Sequence, residues 1–355
     1  MLAAWSCSGD GEGGSTTTSG SGSGGGTAGA GGGGTVTCID NLQSITLAPD
    51  NLMVQLDGSS APPITFTATG ELANGNTVTI PPDQLAWTAS RGDDTPAGDI
   101  DEGVLTPNPH AGGVVDITAT DSCVTGATTV VFYLDVTVGN PSDPGAWDGD
   151  PIVGPPAPSI VYPSDETRFP RNLYRTIFQW RSEGFSEFRL IYEGANSKVT
   201  VFTDGQHGLC AAANPPAGCW EVDEVSWSFI AASNAGSTAS WLVDALDTST
   251  NPPTVRRSEA IELGFSLQDV EGAIFYWSTT SAGIRRGRIS EQDPEDYLVG
   301  KPNATTYSDP DDEVGCVACH VVSRDGKYLV APVKSDATDS LWVTEVTNNP
   351  PPTRI

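Results

Sequence analysis

Positive charge is scarce in this chain. Its 355 residues hold 17 Lys and Arg against 45 Asp and Glu, a formal net charge of −28, and Arg91 is the only cation before Arg168. A surface this acidic repels phosphate backbones and anionic membranes, which excludes nucleic acid as a partner. Histidine occurs three times and methionine twice, so candidate metal ligands of these types are few. No run of 18 apolar residues exists, which excludes a membrane-spanning helix. Helix-periodic stretches are also hard to find.

What remains is rich in glycine, 40 residues, and proline, 27, with short alternating runs of Val, Thr, Ile and aromatics between them. That pattern predicts an all-β protein. Residues 1–34 open as MLAAWSCSGDGEGG, which reads as the truncated end of a signal peptide followed by a Gly/Ser-rich tether. Cys7 stands where a lipoprotein would be acylated, although Trp5 and Ala4 fit that site poorly; the rival reading is an unpaired cysteine at a frayed end.

Residues 35–139 alternate strand-like segments with turn signals, as in PITFTATGELANGNTVTI and TTVVFYLDVTVG, and predict a β-sandwich with Trp87 facing inward on its middle strand. Met53 alternates with strand residues and is expected in the core. Residues 140–158, NPSDPGAWDGDPIVGPPAP, are too rich in Pro, Gly and Asp for a packed element and predict a linker between two folded units. Residues 159–265 predict a second sandwich, with VSWSFIAAS among its strand-like runs and Trp180, Trp227 and Trp241 as core aromatics. Residues 266–355 change character: GAIFYWSTT and GIRRGRIS have hairpin spacing, and SRDGKYLVAPVK and LWVTEV give a further strand, loop and strand.

One motif carries chemistry. Cys316-Val317-Ala318-Cys319-His320 fits C-x-x-C-H, in which two thiols form thioethers to haem and the adjoining imidazole ligates the iron. A zinc site would need two more ligands, and the other histidines, His110 and His207, lie in different predicted domains. A thioredoxin-type dithiol would need an α/β setting that is missing.

The remaining cysteines suit an oxidising compartment. Cys38 and Cys123 bracket the first sandwich, and Cys210 and Cys219 flank AAANPPAG, so each pair is a candidate disulfide. His207, in TDGQHGLC, is the best internal candidate for a distal iron ligand, against the plain reading of a surface histidine. Arg285, Arg286 and Arg288 form the one dense basic cluster and are candidates for haem propionate contacts, or for a charge-protected hairpin edge. The acidic run Asp309, Asp311, Asp312 and Glu313 lacks the spacing of a calcium loop and reads as solvated.

These segments resemble known families. The order of the first module is similar to bacterial Ig-like domains, and residues 159–265 resemble a fibronectin type III sandwich. S-x-D-G-K-x-L at Ser323–Leu329 with the later LWVTEV resembles a blade of TolB-like β-propellers, which implies further blades downstream. Together they resemble exported multidomain proteins of myxobacterial type that join such modules to a propeller bearing one C-x-x-C-H. The resemblance implies a periplasmic or surface location and one covalent haem c. It also implies single-electron exchange with a redox protein or small mediator, the membrane being reached only through a lipid anchor. The alternatives are a surface adhesion or binding protein with a structural or sensory haem, and a peroxidase-like haem oxidoreductase.

Overall fold

The computed structural model describes residues 36–93, 95–173, 175–208, 217–278, 283–289, 294–299, 316–317, 320–334, 339–346 and 353–354. The first module contains β1 (Leu42–Ala48), β2 (Leu52–Leu56), β3 (Ile64–Thr65), β4 (Thr67–Leu72), β5 (Thr77–Ile80), β6 (Ala86–Ser90), β7 (Gly98–Asp101), β8 (Val104–Pro107), β9 (Gly113–Thr120) and β10 (Thr125–Val138). In β10 every second residue from Val130 to Val136 is buried, because side chains two apart share a face of a strand. The sheets β1-β4-β5 and β3-β8-β7 and the strands β6, β9, β10 and β2 enclose one core, as in a β-sandwich. Trp87 is buried there and its indole N–H donates to the Pro82 carbonyl, but β6 ends its row of strands and is not a middle strand. Met53 is corrected more sharply: 74% of it is exposed, since Leu52, Val54 and Leu56 are the inward positions of β2.

The second module contains β11 (Ile152–Val153), β12 (Ser159–Tyr162), β13 (Thr167–Phe169), β14 (Ile177–Arg181), β15 (Phe188–Gly194), β16 (Ser197–Thr203), β17 (Gln206–His207) and β18 (Ala217–Glu221). After these come α1 (Glu224–Ser233), β19 (Thr238–Asp247), β20 (Thr254–Arg257) and β21 (Ile261–Phe265). The sheet β12-β14-β18-β17 lies across the core from a sheet led by β15, β16 and β19. Trp180, Trp227 and Trp241 are fully buried. Trp227, however, sits on α1, where alternation had suggested a strand. Asp223 caps that helix by accepting from the Ser226 N–H at 2.9 Å, and Trp227, Ile230 and Ala231 recur at helical spacing on its buried face. A plain fibronectin sandwich has no such helix.

The two modules are not separate units. β10 pairs antiparallel with β9 from Thr125 to Phe132 and parallel with β16 from Leu134 to Val138, while β2 lies along its other edge. Val130 has partners in both β9 and β2, and Leu134 in both β2 and β16, so β9 and β16 lie end to end on one edge of β10. One eleven-stranded sheet thus crosses the boundary, and one apolar core runs from Leu42 to Phe265. Gly112 permits the junction, since a Cβ there would stand 2.0 Å from the Asn196 carbonyl oxygen.

The predicted linker is likewise packed. Pro144–Trp147 form a 3-10 turn that drives Trp147 against Leu246, Val255 and Phe202, leaving it 4% exposed, and β11 pairs with β20. One buried indole supplies enough apolar contact to fix a segment whose composition otherwise favours solvent.

The C-terminal segment contains β22 (Ala273–Ser278), β23 (Gly283–Arg288), β24 (Glu295–Val299), β25 (Cys316–Val317), β26 (Val321–Val322), β27 (Tyr328–Lys334), β28 (Asp339–Glu345) and β29 (Thr353–Arg354). They form a three-stranded and a five-stranded sheet around a small core of Ile284, Leu298, Leu329 and Ala331. Among the described residues no propeller ring closes. The S-x-D-G-K motif is a turn: Asp325 accepts from the Ser323 hydroxyl and the Lys327 N–H, and Gly326 has a φ of 70°.

Candidate functional site

The cysteine motif begins on a strand. β25 pairs antiparallel with β27 through Cys316 and Lys334, and β26 pairs with the same edge of β27 through Val321 and Val330. Between the two short strands the ladder is interrupted opposite Ala331 and Pro332; proline has no N–H to lend it. His320 stands in this interval, half-buried, and its Nε2 lies 3.0 Å from the Phe275 carbonyl. A carbonyl only accepts, so the ring holds a proton on Nε2 in this arrangement. Cys319 lies outside the described residues.

The arginine cluster comes to the same place. Phe275 of β22 is the cross-strand neighbour of Arg286 in β23, and β25 lies against β23 and β24. The guanidinium groups are already engaged by the chain. Arg286 is 5% exposed, donates to Glu295 at 2.6 Å and lies 4.9 Å from the Tyr297 ring. Arg285 pairs with Asp296 at 3.1 Å, and Arg288 lies 3.7 Å from Glu295. Burial pushes the Tyr297 hydroxyl pKa up, with Arg286 opposing and Glu295 adding to the shift. These arginines tie β24 to β23, the middle strand of its sheet, so they do not guard a solvated hairpin edge, the alternative to propionate contacts.

His207 is not brought to His320. It lies in β17, beside β18, with Nδ1 2.7 Å from the Glu221 carbonyl and its ring near Trp220, all within the second module. Cys38 and Cys123 are joined by a disulfide. Cys219 is also disulfide-bonded, while Cys210, its expected partner, lies outside the described residues, as do Cys7 and the acidic run 309–313. Among the described residues no group of three or more His, Cys, Asp and Glu could hold a metal ion.

The polar residues that sequence reading missed cluster at the junction of the modules. The Arg91 side chain is 5% exposed and donates to the Gly112 carbonyl at 3.0 Å, to Asp93 at 3.1 Å and to the Ala232 carbonyl in the last turn of α1 at 3.2 Å. The last turn of a helix attracts cations. Arg171, from the second module, donates to Thr95 at 2.8 Å and to Asp269 at 2.9 Å, and lies 3.8 Å from Asp93. A second network buries Asp244 between Arg189 and Arg257, with the Arg189 guanidinium 5.2 Å from the Trp147 ring. The isolation of Arg91 was the one legible signal, because a lone cation in an acidic stretch needs a reason.

No family model matches the chain, and no curated protein matches it. Among solved structures, the S-layer protein rSbsC is 10% identical with a TM-score of 0.20, over 86% of this chain and 40% of that one. The chain therefore spans less than half the length of that protein. InvD of Yersinia pseudotuberculosis is 13% identical over 88% and 83% of the two chains, with a TM-score of 0.18. The titin Ig tandem A164–A165 is 9% identical over 64% and 99%, with a TM-score of 0.19. TM-scores this low establish no common fold. No helix among the described residues is long and apolar enough to cross a membrane.

Proposed function

We propose that this chain is part of an exported surface protein of the binding or adhesion kind, in which two fused sandwiches form a rigid support that carries a C-terminal segment. The observation that carries this reading is β10, a single strand shared by both modules and buttressed by the buried Arg91, Asp93 and Arg171. Such a joint costs conformational freedom and gives a spacer that does not bend. The Cys38–Cys123 bridge supports an oxidising compartment, and Cys7 is the candidate point of attachment.

Within that protein, Cys316 and Cys319 would hold one haem c by thioethers and His320 would ligate its iron. The donor set fits: two thiols and an imidazole in the required order, next to a break in the ladder. The Phe275 carbonyl orients the imidazole, and its bond to Nε2 is the contact that ligation would replace. When bound, haem supplies reversible one-electron chemistry or a ligand-sensing iron.

Full-length protein made in a host with cytochrome c maturation machinery tests this directly. A haem-stained denaturing gel is expected to show a covalent band that disappears in Cys316→Ala/Cys319→Ala. Free thiols by mass spectrometry of the matured wild type would sink the haem assignment and leave the scaffold reading standing. A six-coordinate low-spin spectrum would favour the electron carrier, and an open iron the sensor.

A further inference from the structure

Cys38 precedes β1, and Cys123 stands one residue before Val124, at the entry to β10. Their bond closes a sequence separation of 85 residues across a Cα–Cα distance of 5.4 Å. Tension arriving from the N-terminal side of Cys38 therefore has two covalent routes to Val138. One runs through residues 39–122, nearly the whole first module. The other crosses the two sulfurs directly into β10, and it is by far the shorter.

The short route is also well supported. β10 is held by β9 and β2 in its first part and by the parallel register Leu134–Val138 against Ser197–Val201 in its last. Pull along β10 then loads that register in shear, so its hydrogen bonds share the force. Asp121 braces the entry: its buried carboxylate accepts from the N–H groups of Ile39, Cys123 and Val124, fixing the backbone beside both sulfurs.

We propose that Cys38–Cys123 is a tension bypass, which routes pull from the tether into β10 and the second module and takes the chain from β1 to β9 out of the covalent load path, so that it stays folded. The source of the pull rests on the surface-tethered reading above; the bypass itself needs only attachment on the N-terminal side of Cys38. Its use would be to keep the first module's outer faces presentable on a stretched tether.

Single-molecule pulling on the full chain tests the bypass, with one handle at its start and the other attached at the exposed Leu267, so that the C-terminal segment carries no load. Wild type is expected to lack a lengthening step of roughly 300 Å, the extended length of the bridged segment at about 3.5 Å per residue. Cys38→Ser/Cys123→Ser is expected to gain that step at a lower force than the second module requires. A protease site inserted at the Asn74–Gly75 turn, where Gly75 faces open space, gives a test that does not depend on the double variant folding. After cutting, the wild-type tether is expected to hold. A step of that length in wild type, parting of the cut wild-type tether, or a double variant as resistant as the second module would overturn the proposal. Fatty-acid labelling at Cys7 reports separately on anchorage, so a negative label removes the tether while the pulling result stands.

Discussion

Asp121 shows how a single side chain governs the start of the first module. Burial alone would raise the pKa of its carboxyl, but the backbone N–H groups of Ile39, Val124 and Cys123 outweigh that and hold it below the ordinary Asp value. A depressed folded pKa contributes stability above the unfolded value, and that stability is lost as pH falls through the folded one. Asp121→Asn turns one acceptor into a donor facing N–H groups, so urea unfolding should show a loss of about 1–3 kcal/mol. The gap between wild type and variant should be constant above roughly pH 5 and close as pH falls below about 3.9. A gap that widens in acid would contradict the assignment.

At the scale of elements, the segment 140–158 and α1 behave unlike their compositions. Trp147 holds the first against β19 and β20 through Leu246 and Val255, and its ring covers Arg189, which in turn neutralises the buried Asp244. Trp147→Ala removes a nearly buried indole, and the expected cost is about 3–5 kcal/mol by denaturant titration. Protease cleavage within 140–158 should accelerate in the same variant, because the strap loses its anchor. Equal cleavage rates would mean the segment is held by β11 alone. Strand alternation was visible in the sequence for β9 and β10, whereas α1 was misread because Trp, Phe and Ile also suit strands and only Asp223 marked the helix start.

At the scale of the whole molecule, residues 36–265 should unfold as one body. The shared sheet, the continuous core and the salt bridges of Arg91 and Arg171 join the two sandwiches more tightly than a linker allows. Calorimetry is expected to show one transition for this region, with calorimetric and van't Hoff enthalpies equal. Arg91→Met should weaken the junction, leaving the Ala232 and Gly112 carbonyls without their buried donor, and split or broaden that transition. Two well-separated transitions in wild type would restore the picture of independent modules.

The C-x-x-C-H motif is visible because it consists of five consecutive residues; the haem chemistry proposed for it is untested by the fold, which adds the carbonyl that holds His320. Residue order alone is enough to give the β class, the acidic surface, the candidate cysteine pair around the first module and the place of the proposed haem motif. These follow from composition, a two-residue period and covalent neighbours. The folded arrangement adds that β10 belongs to two modules, that Trp147 is buried and that Glu295 and Asp296 occupy the arginines. Strand pairing is made by backbone groups that every residue carries. Which edge meets which is therefore settled only when the folded shapes meet.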